Sequence, residues 1–143
     1  MSSPVSHPSW SLHPQLARDT VAVGDLALSR LLAMNDANYP WVILVPRRAA
    51  AVEIIDLDAT DRTLLMSEIA QVSAALRQIT ACDKLNVAAI GNVVAQLHVH
   101  VVARRRDDPA WPRPVWGAAP ARPYRDDDLR SLAAALRLAI GIG

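Results

Sequence analysis

The sequence predicts an α+β fold, helices packed on an antiparallel sheet, and three observations carry that prediction. Residues 96–103, Gln96-Leu97-His98-Val99-His100-Val101-Val102-Ala103, alternate at period two as a strand does. Over residues 61–80, Leu64, Leu65, Ile69, Val72, Leu76 and Ile79 recur at helical spacing. The candidate elements run strand, strand, helix, strand, strand, helix, an order of hairpins with packed helices that argues for an antiparallel sheet.

Composition sets the limits. The chain has 143 residues and a mass of 15.5 kDa, which suits one domain. Residues 1–9, rich in Ser and Pro, read as a disordered tail, leaving 10–143 as a single domain. Hydrophobic content of 52% against 20% charged is enough for a core. A net charge of +1 predicts no general nucleic-acid affinity. The single cysteine, Cys82, excludes an internal disulfide framework and reads as inert packing. The first ten residues have neither a basic start nor an apolar run, unlike a secretory signal. Nothing reaches the roughly 18 uninterrupted apolar residues of a membrane span. The expected location is the cytoplasm.

In chain order, 13–18 reads as one helical turn with Pro14 at its first position. Residues 26–34 read as a strand broken by Ser29 and Arg30. Residues 35–40 form a turn of Asn, Asp and Pro. Residues 41–45 form a buried strand stopped by Pro46, antiparallel to the one before. Asp58 or Thr60 caps the long helix, with Arg62, Glu68 and Arg77 expected on its wet face. Residues 84–90 read as a strand, joined by a tight Gly-Asn link over 91–95 to the histidine strand. Arg104-Arg105-Arg106-Asp107-Asp108 reads as a solvated loop or as a positive field beside the site. Residues 109–117 hold two of the four tryptophans and three of the ten prolines, so this extended segment should pack down on something. Asp126, Asp127 and Asp128 favour the start of a second amphipathic helix, which runs to about Leu138.

The histidine strand is where chemistry is to be sought. It sets Gln96, His98, His100 and Val102 on one face, and Leu97, Val99, Val101 and Ala103 on the apolar other. Two tolerated histidines on a solvated face would look the same. Two zinc ligands would need further ligands, and the other histidines, His7 and His13, lie near the N-terminus. In a catalytic reading, one imidazole attacks and the other donates to a developing negative charge.

Here the residues resemble a family. Gln-Leu-His-Val-His-Val-Val is similar to the His-φ-His-φ-His-φ-φ signature (φ apolar) of the histidine triad, or HIT, nucleotide hydrolases and transferases. Gln96 stands at the first histidine, as in a bacterial subgroup, His98 at the nucleophile and His100 at the third. Leu32-Ala-Met-Asn35 followed by Leu44-Val-Pro-Arg-Arg48 also looks like the family's paired strands, the first ending near an asparagine and the second in a proline and basic residues. The resemblance implies an antiparallel sheet of about five strands with one long helix on it and a C-terminal helix, commonly in a homodimer. It implies reaction at a nucleotide α-phosphate through a covalent nucleotidyl-histidine, on dinucleoside polyphosphate or phosphoramidate substrates. No cofactor is required, the substrate bringing any Mg²⁺ with it. Asn35 becomes a nucleoside candidate or a plain turn residue. Asn86 and Asn92 become phosphate candidates, Asn92 being alternatively a turn residue with positive φ. Trp111, in the segment after the triad, becomes a lid or base contact, or else part of a structural clasp. Glutamine cannot titrate near neutrality, so the runner-up is a nucleotide-binding protein without turnover.

Overall fold

A computed structural model of the chain describes residues 9–125 and 127–143. Apart from Ser9, the tail expected over 1–9 lies outside the described residues, as does Asp126. The elements are α1 (Pro14–Asp19), β1 (Thr20–Asp25), β2 (Ser29–Met34), β3 (Trp41–Pro46), a 3₁₀ turn (Ile54–Asp56), α2 (Ala59–Thr80), β4 (Lys84–Ala88), β5 (Val99–Arg104) and α3 (Asp128–Ile140). The five strands form one sheet in the order β1-β2-β3-β5-β4, every pair antiparallel. The α+β expectation holds.

Both faces of the sheet are covered. On one face, Leu31 and Ala33 of β2, Val42 and Leu44 of β3, and Val101 and Ala103 of β5 pack against Val72 and Leu76 of α2 and Leu129, Ala133 and Leu136 of α3. The alternate residues Leu32, Trp41, Ile43, Val45 and Val102 point the other way. They meet Leu16 of α1, Val94, and Ala110 and Val115 of the Trp/Pro-rich segment. This is why β3 is buried along its whole length. It is also why the segment after β5 stays ordered without regular structure: it supplies apolar cover. Cys82 packs, half-buried, against the helical side.

Asp58 caps α2 by accepting from the Asp61 N–H at 2.8 Å, one of the two capping residues expected. Four expectations need correction. The strand broken by Ser29 and Arg30 instead begins with them. The break lies at 26–28, closed by Leu26 N–H donating to the Ser29 carbonyl, and β1 precedes it unforeseen. Arg30 then pairs with Asp25 across β1 and β2. Glu68 is not on a wet face: it is 3% exposed and accepts from the Leu28 and Ser29 N–H groups at 2.8 and 3.0 Å. The link between β4 and β5 is not tight. Ala88 pairs with His100, so residues 89–98 form a loop, and Gln96, Leu97 and His98 precede the strand. Leu97 N–H is given to the Ala51 carbonyl instead of a strand partner. Arg104 is not solvated but ends β5 at 1% exposure. Its guanidinium is forked onto Asp108, bonded to Asn86 Oδ1, and lies over the Tyr39 and Trp111 rings. Burial alone would raise the Asp108 carboxyl, but Arg104 and the backbone N–H groups of Ala110 and Arg105 hold it below its ordinary value.

Candidate active site

The histidines stand at the N-terminal end of β5, where the sheet meets the 89–98 loop. His98 and His100 are both 6% exposed, their ring centroids 4.8 Å apart and their planes inclined at 68°. They share a cavity of about 380 Å³ with Leu16, Met34, Trp41, Asn92, Val94 and Trp116. That volume lies within the range of small-ligand pockets. Its wall is mostly apolar and aromatic, suited to a flat ring, and the two imidazoles are among its few polar groups.

Each imidazole has one nitrogen committed to a neighbour. His98 Nδ1 lies 2.6 Å from the Gln96 carbonyl oxygen. A carbonyl only accepts, so in the neutral ring the hydrogen sits on Nδ1 and the lone pair on Nε2. His100 is the reverse. The Trp41 indole Nε1–H donates to His100 Nδ1 at 3.0 Å. Indole only donates, so His100 keeps its hydrogen on Nε2. Burial, and then the neighbouring His98, push the His100 pKa down to about 3, which keeps that ring neutral near pH 7. The pair thus offers one basic nitrogen and one N–H donor.

Trp41 is placed by β3, whose register sets it opposite Val102 and sets Ile43 opposite His100. Trp116 comes from the segment after β5 and stands edge-on to both His100 and Trp41, at 5.2 and 5.8 Å between centroids. Neither tryptophan is singled out by the sequence. The available signal was an indole beginning a strand just after Pro40, and a second indole five residues beyond Trp111.

The residues expected at the site are distributed unevenly. Asn92 lines the histidine cavity, and the positive φ of that turn belongs to Gly91, at 68°. Asn35 lines an adjoining cavity of about 400 Å³ that shares Asp19, Met34, Trp41 and Trp116 with the first. Its Oδ1 accepts from the Tyr124 N–H at 2.9 Å. Asn86 turns to Arg104 instead, and Trp111 covers the same guanidinium, so neither lines the histidine cavity. Arg104, Arg105 and Arg106 do not line it either. The Gln96 side chain reaches away to the N-terminal segment, accepting from His13 N–H at 2.8 Å and donating to the Ser11 carbonyl at 2.9 Å. Only its backbone carbonyl meets His98. Among the described residues no cluster of three or more His, Cys, Asp or Glu side chains could hold a metal ion.

The family model of the HIT domain matches residues 15–107, a span that includes α1 apart from Pro14, the whole sheet and both histidines. This chain belongs to the HIT domain family. Solved histidine triad proteins are similar to this HIT protein along nearly their whole length. One from Bradyrhizobium japonicum is 56% identical, covers 93% of this chain and 99% of its own, and has a TM-score of 0.91. One from Sinorhizobium meliloti 1021 is 42% identical over 91% and 96% of the two chains, with a TM-score of 0.89. One from Marinobacter aquaeolei VT8 is 41% identical over 94% and 98%, with a TM-score of 0.90. No curated protein matches the chain. The HIT domain here has no helix, among its described residues, long and apolar enough to cross a membrane.

Proposed function

We propose that this protein is a nucleotide hydrolase or nucleotidyl transferase that reacts at the α-phosphate through His98. The observation that carries the reading is the opposed pair of tautomers: Gln96 O holds His98 Nδ1–H, and Trp41 holds His100 Nδ1. His98 Nε2 attacks phosphorus, an N–P bond forms, and the bond to the leaving group breaks as that group departs with the electron pair and takes up a proton. Water or another acceptor then attacks the phosphorus, gives up its proton, and the N–P electron pair returns to Nε2. His100 Nε2–H donates to a non-bridging oxygen while charge accumulates there, and the Asn92 amide adds a second donor. The apolar wall of Leu16, Met34, Trp41 and Trp116 takes the base. This reading leaves Asn86 and Trp111 out of the chemistry and gives Gln96 only a carbonyl role. The reaction needs no protein-bound cofactor, any Mg²⁺ arriving with the substrate. A cytoplasmic homodimer is the expected form.

The test compares wild type with His98→Ala on diadenosine polyphosphates and a fluorogenic adenosine phosphoramidate, with and without EDTA. Turnover should survive EDTA and fall by about a thousandfold or more in the variant. Equal turnover in both proteins would sink the mechanism. No turnover in wild type, with nucleotide still raising its melting temperature, would replace it by nucleotide binding alone.

A further inference from the structure

We infer that Gln96 is a positioning residue that clamps the N-terminal segment to the nucleophile's loop, and so sets how tightly the cavity holds a nucleotide. The inference rests on the functional reading above and extends it to a side chain the chemistry does not use. A primary amide carries a donor and an acceptor side by side in one plane. Gln96 spends both on one short stretch of main chain, the Ser11 carbonyl and the His13 N–H, as a neighbouring strand's peptide would. The two nitrogens of an imidazole point apart and cannot serve both groups at once. A carboxylate lacks the donor. Glutamine therefore does at this position what histidine cannot.

What the clamp holds is part of the cavity. His13 caps α1, its Nδ1 accepting from the Gln15 N–H at 3.0 Å, and α1 supplies Gln15, Leu16 and Asp19 to the wall around the histidines. The clamp joins residues 83 apart in the chain, tying the floor that carries His98 to the wall that carries Leu16. The main chain at 96–98 has its own anchor in the bond from Leu97 N–H to the Ala51 carbonyl. Loss of the Gln96 side chain therefore frees the wall while its carbonyl still orients His98. Ground-state binding should suffer more than the chemical step.

The experiment uses the full chain with Gln96→Glu, Gln96→Leu and Gln96→His. Hydrogen exchange is followed by mass spectrometry, and KM and kcat are measured on the best substrate of the panel. Exchange over residues 10–17 should quicken about tenfold in Gln96→Leu, the scale of two solvent-exposed hydrogen bonds, and less in Gln96→Glu, which keeps the acceptor. Exchange in α2 should be unchanged, which shows that each variant is folded. KM should rise by a similar factor with a much smaller change in kcat, and Gln96→His should bring no gain in kcat. Unchanged protection of 10–17 in Gln96→Leu would overturn the clamp. So would a rise of kcat in Gln96→His, or a fall of kcat at constant KM in Gln96→Leu. Should the wild type bind nucleotide without turnover, the dissociation constant of AMP replaces KM, and the exchange and binding results still decide the matter.

Discussion

An imidazole has two nitrogens, and at this site the neighbours decide which one carries the hydrogen. For His98 the neighbour is a carbonyl two residues back; for His100 it is an indole on the adjacent strand. The second is the easier to test. Trp41→Phe keeps an aromatic ring against His100 and Trp116 but removes the donor, leaving His100 free to exchange tautomers. Its Nε2–H would then be present only part of the time. We expect kcat to drop about tenfold, less than the hundredfold or more of a charge-stabilising donor removed outright because the Nε2–H is still present part of the time, with a stability loss of about 1 kcal/mol from the lost hydrogen bond. Nitrogen shifts of the His100 ring should move from one tautomer toward a mixture; an unmoved spectrum together with full activity would show that Trp41 merely fills space. The sequence marked His98, His100 and Asn92 for this cavity but passed over Trp41 and Trp116, because an indole in an apolar strand looks like any other core residue until its partner is known.

At the scale of elements, α2 is held by more than its apolar stripe. Glu68 lies in register with Leu65, Val72 and Leu76 and reaches the N–H groups of Leu28 and Ser29, where β1 turns into β2. It gives that turn the acceptor a sheet partner would otherwise supply. Glu68→Ala should leave two buried donors unpaired and lower unfolding free energy by about 2–3 kcal/mol in urea titrations. A loss below about 0.5 kcal/mol would mean water replaces the carboxylate. The spacing of 65, 68, 72 and 76 was visible, yet a glutamate at 68 read as solvent-facing, because burial of a charge is decided by its partners and not by its period. β1 leaves little trace in the sequence for a related reason. It is an edge strand with a register shift between Ala22 and Gly24, and only Val23 in it is buried, so its alternation is faint. The long helix and α3 are legible because each buries a regular face, and β3 because it is a continuous apolar run buried on both faces.

For the whole molecule, the covering of the second sheet face matters most. The N-terminal segment and the segment after β5 close over Trp41, Ile43 and Val102 and bury His100 with them. A histidine buried as the neutral form makes stability depend on pH. Folded, His100 takes a proton only near pH 3, against an ordinary value of 6.5. Between these limits the unfolded chain binds more protons. Stability is therefore full above about 6.5 and falls as pH drops, by up to about 1.4 kcal/mol per unit. The lowered Asp108 carboxyl acts in the same direction, but only near and below its ordinary 3.8. Urea midpoints between pH 6.5 and 4.5 should thus fall more steeply in wild type than in His100→Asn. Parallel slopes would place the acid sensitivity elsewhere.

By itself the sequence determined the α+β class, the long capped helix, the strand that begins at Trp41 and the pairing of His98 with His100. The elements follow from relations between residues a few positions apart, which a strand or helix translates directly into a shared face, and the class follows from the order of those elements along the chain. Tertiary structure decided the rest: the tautomer of His100, the place of Trp116 rather than Trp111 beside it, the withdrawal of Asn86 to Arg104, and the grip of Gln96 on Ser11 and His13. Those outcomes depend on hydrogen-bond and stacking partners up to 85 residues apart, as for Gln96 and Ser11. Such groups meet only after the sheet has formed and its second face has been covered. Each polar group then takes the partner that burial leaves within reach, and no local pattern records that choice.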